Sequence, residues 1–168
     1  MGKLLFILGG IKSGKSSFAV ELLKNKKDVF FIATGSEEDE EMKEKILKHK
    51  QTRPKHFITI EEKINIVKKI KNLKKTSHLI IDCINFWVAN MLKVYDEKEI
   101  LLKTKDLCKN LKKFKISVVV SNEVGLSLVA TNNLARKFQD ILGKVNQIFT
   151  KYADKVFFMI SGIPLRIK

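Results

Sequence analysis

The sequence predicts an α/β fold: a mostly parallel central sheet flanked by helices, closed by a short terminal edge strand. Three observations carry that expectation. Short, almost uninterrupted apolar runs recur along the chain, stretches of helical periodicity lie between them, and polar or glycine-bearing residues stand where the runs end. Strands that are hydrophobic on both faces need cover on both faces, which is the situation in a parallel sheet.

Each element follows from the local pattern. The first run, Leu4 to Leu8, enters Gly9-Gly10-Ile11-Lys12-Ser13-Gly14-Lys15-Ser16, and a helical pattern spans 15–25. Those eight residues fit G-x-x-x-x-G-K-[ST], and a preceding strand and following helix are the context that a phosphate-binding loop (P-loop) requires. The fold expected is therefore P-loop NTPase-like. The second run, Val29 to Ala33, ends at Thr34-Gly35-Ser36, and helices are expected at 38–51 and 61–74. The third, Leu79 to Asp82, precedes helices at 85–94 and 97–114. The fourth, Ser117 to Ser121, runs into Asn122-Glu123-Val124-Gly125, and a long helix is expected at 131–152. The fifth is Val156 to Ile160; Ser161-Gly162 reads as a turn, and the last residues as a short strand that Pro164 assigns to a sheet edge. No repeat, linker or low-complexity tract interrupts this series, so residues 1–168 are expected to form one P-loop nucleotide-binding/transferase domain.

Composition narrows the class. Hydrophobic residues make up 45% of the 168, an ordinary globular share. No apolar run reaches the roughly 18 residues of a membrane span, so no membrane insertion is expected, and Leu4 to Leu8 is too short for a signal peptide. Cys83 and Cys108 stand alone, without metal-ligand spacing or a disulfide framework, and a cytoplasmic, reduced setting follows. The net charge of +15 comes almost wholly from lysines spread along helical patterns. Without interleaved aromatic residues these read as solvated faces, not as a nucleic-acid platform, and no nucleic-acid partner is expected. Only Arg53, Arg136 and Arg166 among the 33 basic residues are arginine, whose planar fork grips phosphate in a way lysine cannot copy.

Several residues carry candidate chemistry. The loop's backbone N–H groups can wrap a phosphate chain at a helix N-terminus, with Lys15 on the β and γ oxygens and Ser16 on Mg²⁺. Asp82 closes an apolar strand, where P-loop proteins place an acid that holds Mg²⁺ directly or through water. His49 stands four residues before Arg53 on a helical pattern that Pro54 ends, which puts imidazole and guanidinium on one face. A neutral imidazole is a competent nucleophile toward phosphorus; Lys50 and Arg53 would lower its pKa and steady a pentacoordinate phosphate. Glu61 and Glu123 are acids at strand edges, placed either to contact a ribose or base or to cap a helix.

Together these residues resemble one family, the bifunctional adenosylcobinamide kinase and adenosylcobinamide-phosphate guanylyltransferase of cobalamin biosynthesis. The matching pieces are Gly9 to Ser16, Ile32-Ala33-Thr34, Asp39-Glu40-Glu41-Met42, His49 through Arg53-Pro54, Thr59-Ile60-Glu61, and Asp82-Cys83 with Trp87 and Asn90. Asn122 to Gly125, Asn133 to Phe138, Asp140, Gly143 with Asn146-Gln147, and Ser161-Gly162 complete the set. The phosphate loop is widely shared; the His49–Pro54 and Asn122–Gly125 stretches are far more specific. The resemblance implies that a nucleoside triphosphate, ATP or GTP, phosphorylates the hydroxyl of the cobinamide aminopropanol arm. GTP then donates GMP to that phosphate by way of a guanylylated histidine, here His49, and pyrophosphate leaves. It also implies nucleotide contacts from the loop, from Ala33, Thr34 and Gly35, and from Lys50, Arg53, Glu61 and Asp82, with Mg²⁺ on Ser16 and Asp82. A corrinoid substrate and a homotrimer complete what it implies. The chain departs from the family pattern at Asn85, Ser127, Ala130 and Gln139, where threonine, glycine, proline and arginine are usual; a guanylyltransferase without the kinase step is the variant reading. The competing classes are a nucleic-acid-associated P-loop ATPase, suggested by the charge, and an ordinary small-molecule kinase. Neither has a use for a nucleophilic histidine.

Overall fold

The computed structural model of the protein describes residues 2–35 and 53–168. Within them β1 (Lys3–Gly9) leads through the phosphate loop into α1 (Lys15–Leu23), followed by β2 (Val29–Ala33) and β3 (Ile58–Glu61). Then come α2 (Ile66–Ile70), β4 (His78–Asp82), α3 (Ile84–Met91), α4 (Glu97–Leu111) and β5 (Ile116–Val120). The chain closes with α5 (Asn133–Tyr152), β6 (Lys155–Ile160) and β7 (Ile163–Arg166). The strands join one sheet in the order β3-β2-β4-β5-β1-β6-β7. Every ladder from β1 to β6 is parallel, and only β7 runs antiparallel, against β6. The expected α/β fold is the one observed.

Side-chain alternation along the strands sorts the core into two layers. On one face Leu4, Phe6, Leu8, Leu79, Ile81 and Val119 meet the apolar sides of α2, α3, α4 and α5. Phe6 stacks on Phe149 of α5 with ring centroids 5.3 Å apart. On the other face Ile7, Phe31, Ile80 and Val118 meet Ala19 and Leu23 of α1. The amphipathic α4 begins in a capping box, in which the Asp96 carboxylate accepts from Glu99 N and the Glu99 side chain accepts from Asp96 N.

Two expectations are corrected. The helix expected at 61–74 shrinks to α2, and β3 is a strand beyond the five expected runs, although Glu61 was read at a strand edge. Glu62 closes a turn by accepting from Ile64 N (2.9 Å) and Asn65 N (2.7 Å), so the helix starts only at Ile66. Ahead of that turn, Phe30 to Ala33 of β2 pair in register with Ile58 to Glu61. The helix expected at 38–51 lies outside the described residues.

The terminal hairpin turns through Ser161 (φ 49°) and Gly162 (φ 85°), with Ile160 paired to Ile163. Two left-handed residues between paired strands make a type I′ turn, whose twist suits a hairpin. Ile167 N donates inward to Val156 O (2.9 Å), and by alternation Ile163 and Leu165 also face β6. Pro164 therefore faces the open edge, where a residue without an N–H removes a donor from the unpaired side.

His78 opens β4 and is buried, and its Nδ1 meets no hydrogen-bond partner among the described residues. Burial pushes its pKa below the ordinary imidazole value; Lys115 and Lys26 add to the depression and Asp28 opposes it. The unfolded chain takes up this proton near pH 6.5 whereas the folded protein resists it, so the stability linked to His78 is full above about pH 6.5 and is lost as pH falls through the folded value. Urea midpoints should therefore drop on acidification from pH 7.5 to 5, and His78→Gln should show a shallower drop; equal slopes would remove His78 from the account.

Candidate active site

The connection leaving β1 passes over one face of the sheet, as α1, while that leaving β5 returns over the other, as α5. Neighbouring strands whose connections part in this way open a crevice at their carboxyl ends, where ligands bind in such sheets. The phosphate loop lies at that crevice. Gly9 ends β1 with φ +154°, and a Cβ there would stand 2.7 Å from Ser13 Oγ and 2.8 Å from Met159 O, so only glycine fits. Gly14 caps α1 in the left-handed conformation, no side chain caps the helix, and its first turn holds no acid. Its backbone N–H groups and dipole are therefore available to an anion.

The loop's carbonyls are held both from outside and from within. Gly9 O accepts from Glu123 N (3.1 Å), Ser13 O from Gly162 N (3.0 Å) and Gly14 O from Phe18 N (2.9 Å). Gly10 O accepts from Lys15 Nζ. Ser13 Oγ is buried with no partner among the described residues, which suits a phosphate oxygen. Lys15 is itself buried; burial lowers its pKa, and the Asp82 carboxylate opposes that shift. Asp82 ends β4 half-buried, and Ser16 is half-buried in the first turn of α1. A hydroxyl and a carboxylate are hard oxygen donors of the kind Mg²⁺ takes. No group of three or more His, Cys, Asp or Glu side chains gathers among the described residues.

Arg53 comes to the same strand ends. Its guanidinium carbon lies 3.7 Å from the centroid of the Phe31 ring, and Nη1 donates to Thr59 Oγ1 (3.3 Å). Burial lowers its pKa, with Asp82 and Glu61 opposing, so both acids lie within its field. Glu61 is exposed at the end of β3, level with Ala33 across the ladder. Lys15, Asp82, Arg53 and Glu61 thus share one pole of the sheet.

Thr34 does not turn its side chain to the cleft. It is fully buried; its hydroxyl donates to Cys83 O (2.6 Å) and accepts from Cys83 N (2.9 Å). Its carbonyl accepts from Asn90 Nδ2 (3.1 Å). What Thr34 does is weld the end of β2 to the start of α3, which fixes Asp82 between them. Cys83 is buried there as well, its thiol pushed up to about 12 by burial and by the Asp82 charge. Gly35 follows half-buried, and Ala33 is half-buried within β2. His49 and Lys50 lie outside the described residues.

Sequence reasoning assigned no role to the amides that hold the site. Asn146, buried on α5, accepts from Ser121 Oγ (2.7 Å) and donates to Asn122 O (3.0 Å), so it clamps the start of the Asn122–Gly125 stretch. Glu123 turns back to accept from Gly125 N (2.8 Å). The available signal was an amide inside an otherwise apolar stripe with Leu142, Val145 and Phe149, since buried polar groups require partners.

A sequence model of the family described as Cobinamide kinase / cobinamide phosphate guanyltransferase matches residues 5–167. The bifunctional adenosylcobalamin biosynthesis protein CobU of Salmonella typhimurium (strain LT2) is 34% identical over 185 residues, covering 98% of this chain and 99% of the relative. CobU of Escherichia coli (strain K12) is 32% identical over 180 residues with the same coverage. The protein CobP of Pseudomonas aeruginosa is 31% identical over 165 residues, 96% of this chain and 95% of its own. Among solved structures, the RadB recombinase superposes with a TM-score of 0.52 at 14% identity, covering 94% of this chain and 74% of that one. A type III secretion system ATPase of pathogenic bacteria superposes with 0.53 at 12% identity, covering 94% and 51%. These structural likenesses concern the fold alone.

The Thr34 weld is directly testable. Thr34→Val keeps the shape but leaves the Cys83 N–H buried without a partner, a loss of about 1–3 kcal/mol in urea unfolding. Nucleotide affinity should fall with it; unchanged stability would mean that Asp82 is held in some other way.

Proposed function

The chain belongs to the cobinamide kinase / cobinamide phosphate guanyltransferase family, and from that premise we propose that a single phosphate loop serves both of its reactions. The protein is a bifunctional enzyme of cobalamin biosynthesis, an adenosylcobinamide kinase and adenosylcobinamide-phosphate guanylyltransferase. The observation that carries the shared-loop reading is the meeting of Lys15, Asp82 and Arg53 at the strand ends beside a helix N-terminus free of side-chain caps.

In the kinase step the loop N–H groups and Lys15 hold the triphosphate. The hydroxyl oxygen of the cobinamide arm attacks the γ-phosphorus, the bond to the β,γ-bridging oxygen breaks, and the hydroxyl proton is released. In the transfer step the same loop holds the β and γ phosphates of GTP as the leaving group. The imidazole of His49 attacks the α-phosphorus and pyrophosphate departs; an oxygen of the corrinoid phosphate then displaces the imidazole, giving adenosylcobinamide-GDP. Arg53 and Lys50 carry the charge that develops on the α-phosphoryl oxygens. Glu61 is assigned to the ribose or base, and Ala33 and Gly35, on either side of the buried Thr34, to the wall of the cleft. Mg²⁺ bound through Ser16 and Asp82 would supply charge neutralisation at the phosphates.

The reading extends to one P-loop transferase domain over residues 1–168, supported by all described strands joining one sheet. It also extends to a cytoplasmic homotrimer that neither enters a membrane nor binds nucleic acid. The trimer rests on the family resemblance. No helix among the described residues is long and apolar enough to cross a membrane.

With Mg²⁺ and α-labelled GTP the protein should form an acid-labile, alkali-stable adduct that His49→Ala abolishes; an adduct of equal yield in the variant would sink the histidine mechanism. Lys15→Ala should weaken triphosphate binding ten- to a hundredfold, the scale of a lost charged hydrogen bond of about 1.5–3 kcal/mol, while leaving the unfolding midpoint near wild type. Retained affinity would take Lys15 out of the site.

A further inference from the structure

Residues on three neighbouring strands line up beneath Arg53. Register sets Thr59 of β3 opposite Phe31 of β2, and Phe31 opposite Ile80 of β4. Residues level with one another in a sheet point to the same face. This rung therefore lies on the face that α1 covers, where Phe31 and Ile80 are buried. Two residues on, roughly 6.6 Å nearer the carboxyl ends, the next rung on that face reads Glu61, Ala33, Asp82. An alanine, the smallest side chain of the three, thus separates two carboxylates.

The two rungs act on the guanidinium differently. The first holds it: the guanidinium carbon of Arg53 lies 3.7 Å from the Phe31 ring centroid, and Nη1 donates to Thr59 Oγ1 (3.3 Å). A planar cation on a ring face can still turn about the stacking axis, and the bond to the hydroxyl stops that rotation. The ring fixes the plane of the fork and the hydroxyl fixes its heading. The chain behind it is braced as well, since Phe57 N donates to Pro54 O (3.0 Å) and Phe57 is buried in the same apolar layer. The second rung supplies a field, with Asp82 and Glu61 opposing the effect of burial on Arg53. One donor is left over. Arg53 Nε is buried and has no hydrogen-bond partner among the described residues. A buried charged donor is costly to leave unmet. Thr59 takes Nη1, away from the edge that Nε shares with Nη2, and that edge is shaped for two oxygens of a phosphoryl group.

We infer that Phe31 and Thr59 are positioning residues of the guanylyl-transfer step, which aim the Nε edge of Arg53 at the α-phosphoryl group. The inference rests on the assignment of Arg53 to that step made above. An arginine free to swing must first give up its side-chain freedom before it can meet a charge. Stacked and hydrogen-bonded beforehand, Arg53 is ordered before nucleotide arrives. Its attraction is then kept for the charge that develops as the α-phosphorus is attacked. In the kinase step the γ-phosphoryl moves instead, and the loop and Lys15 meet its charge. Phe31 and Thr59 therefore bear on one of the two reactions.

Thr59→Val exchanges an exposed hydroxyl for a methyl group and keeps the β-branch, so it should fold as wild type. With Mg²⁺ and saturating α-labelled GTP it should form the histidine adduct about tenfold more slowly, the scale of a lost hydrogen bond to a charged group. GTP affinity and the cobinamide kinase rate should stay near wild type, and Thr59→Ser should restore adduct formation. Phe31→Leu, in the core, should slow the same step about three- to thirtyfold, the scale of a cation–π contact, read against its own unfolding midpoint and kinase rate. In an Arg53→Ala background neither substitution should slow the adduct further. Wild-type rates in both variants beside a slow Arg53→Ala would overturn the positioning role and leave Arg53 in the reaction. An undiminished effect in the Arg53→Ala background would overturn it too, as would equal losses of kinase rate and GTP affinity. A second readout needs no turnover: Arg53 is one of three arginines, so its Nε–H can be followed by nitrogen-15 NMR. That signal should exchange slowly in wild type, move when guanosine 5′-(α,β-methylene)triphosphate binds with Mg²⁺, and broaden in both variants. Such behaviour without any histidine adduct would sink the histidine mechanism and leave the positioning in place. A signal alike in wild type and variants would overturn the positioning.

Discussion

A phosphate loop has to turn its N–H groups inward toward an anion, and that single demand faces its carbonyls outward, where each needs a donor of its own. Much of the architecture answers this demand. Gly9 O takes the N–H of Glu123, at the tip of β5; Ser13 O takes that of Gly162, in the terminal hairpin; Gly10 O takes the Lys15 ammonium. The two strands that flank β1, β5 and β6, are thus also the ones whose following residues brace the loop. Because the donors from Glu123 and Gly162 are backbone groups on packed elements, the loop's shape is set largely by the sheet and not by the ligand.

A second layer of polar contacts carries the same logic outward. Thr34, Asn90 and Asn146 are buried amides and hydroxyls whose every described bond reaches the backbone or another buried polar group near a strand end. None of them needs to meet substrate to matter. They hold the carboxyl ends of β2, β4 and β5 at fixed heights, so that Asp82 and the Asn122–Gly125 stretch stand level with the loop. The apolar layers on the two faces supply the stability; these few bonds supply the alignment.

The sequence made the fold legible wherever the signal was local. Continuous apolar strands, the glycine pattern of the loop and the Ser161-Gly162 turn can each be read from a few adjacent residues. It failed at β3, because Ile58–Glu61 is short and mostly exposed, and is a strand only by virtue of its ladder with β2, some 25 residues earlier. With no core face of its own, the stretch offered no continuous apolar run, and only its last residue, Glu61, fell inside the helix expected at 61–74. The site divides along the same line. Lys15, Ser16 and Asp82 were legible as candidates from motif and position, and the structure places them at the start of α1 and the end of β4. The inward turn of Thr34 was not, because its partner Cys83 lies 49 positions away. The corresponding signal for Asn146 was present as a polar residue in an apolar stripe, and needed only the rule that buried amides must be satisfied.

The bond between Ser13 O and Gly162 N joins residues 149 positions apart. On the ribosome the glycine-rich loop emerges well before its brace. Until β6 pairs with β1 and the hairpin closes, the loop lacks both a neighbouring strand and one of its donors. The nascent chain therefore gains little help from nucleotide during synthesis, and the long sequence separation makes this closure a slow, late event. Nucleotide meets the loop in its braced shape only after that closure.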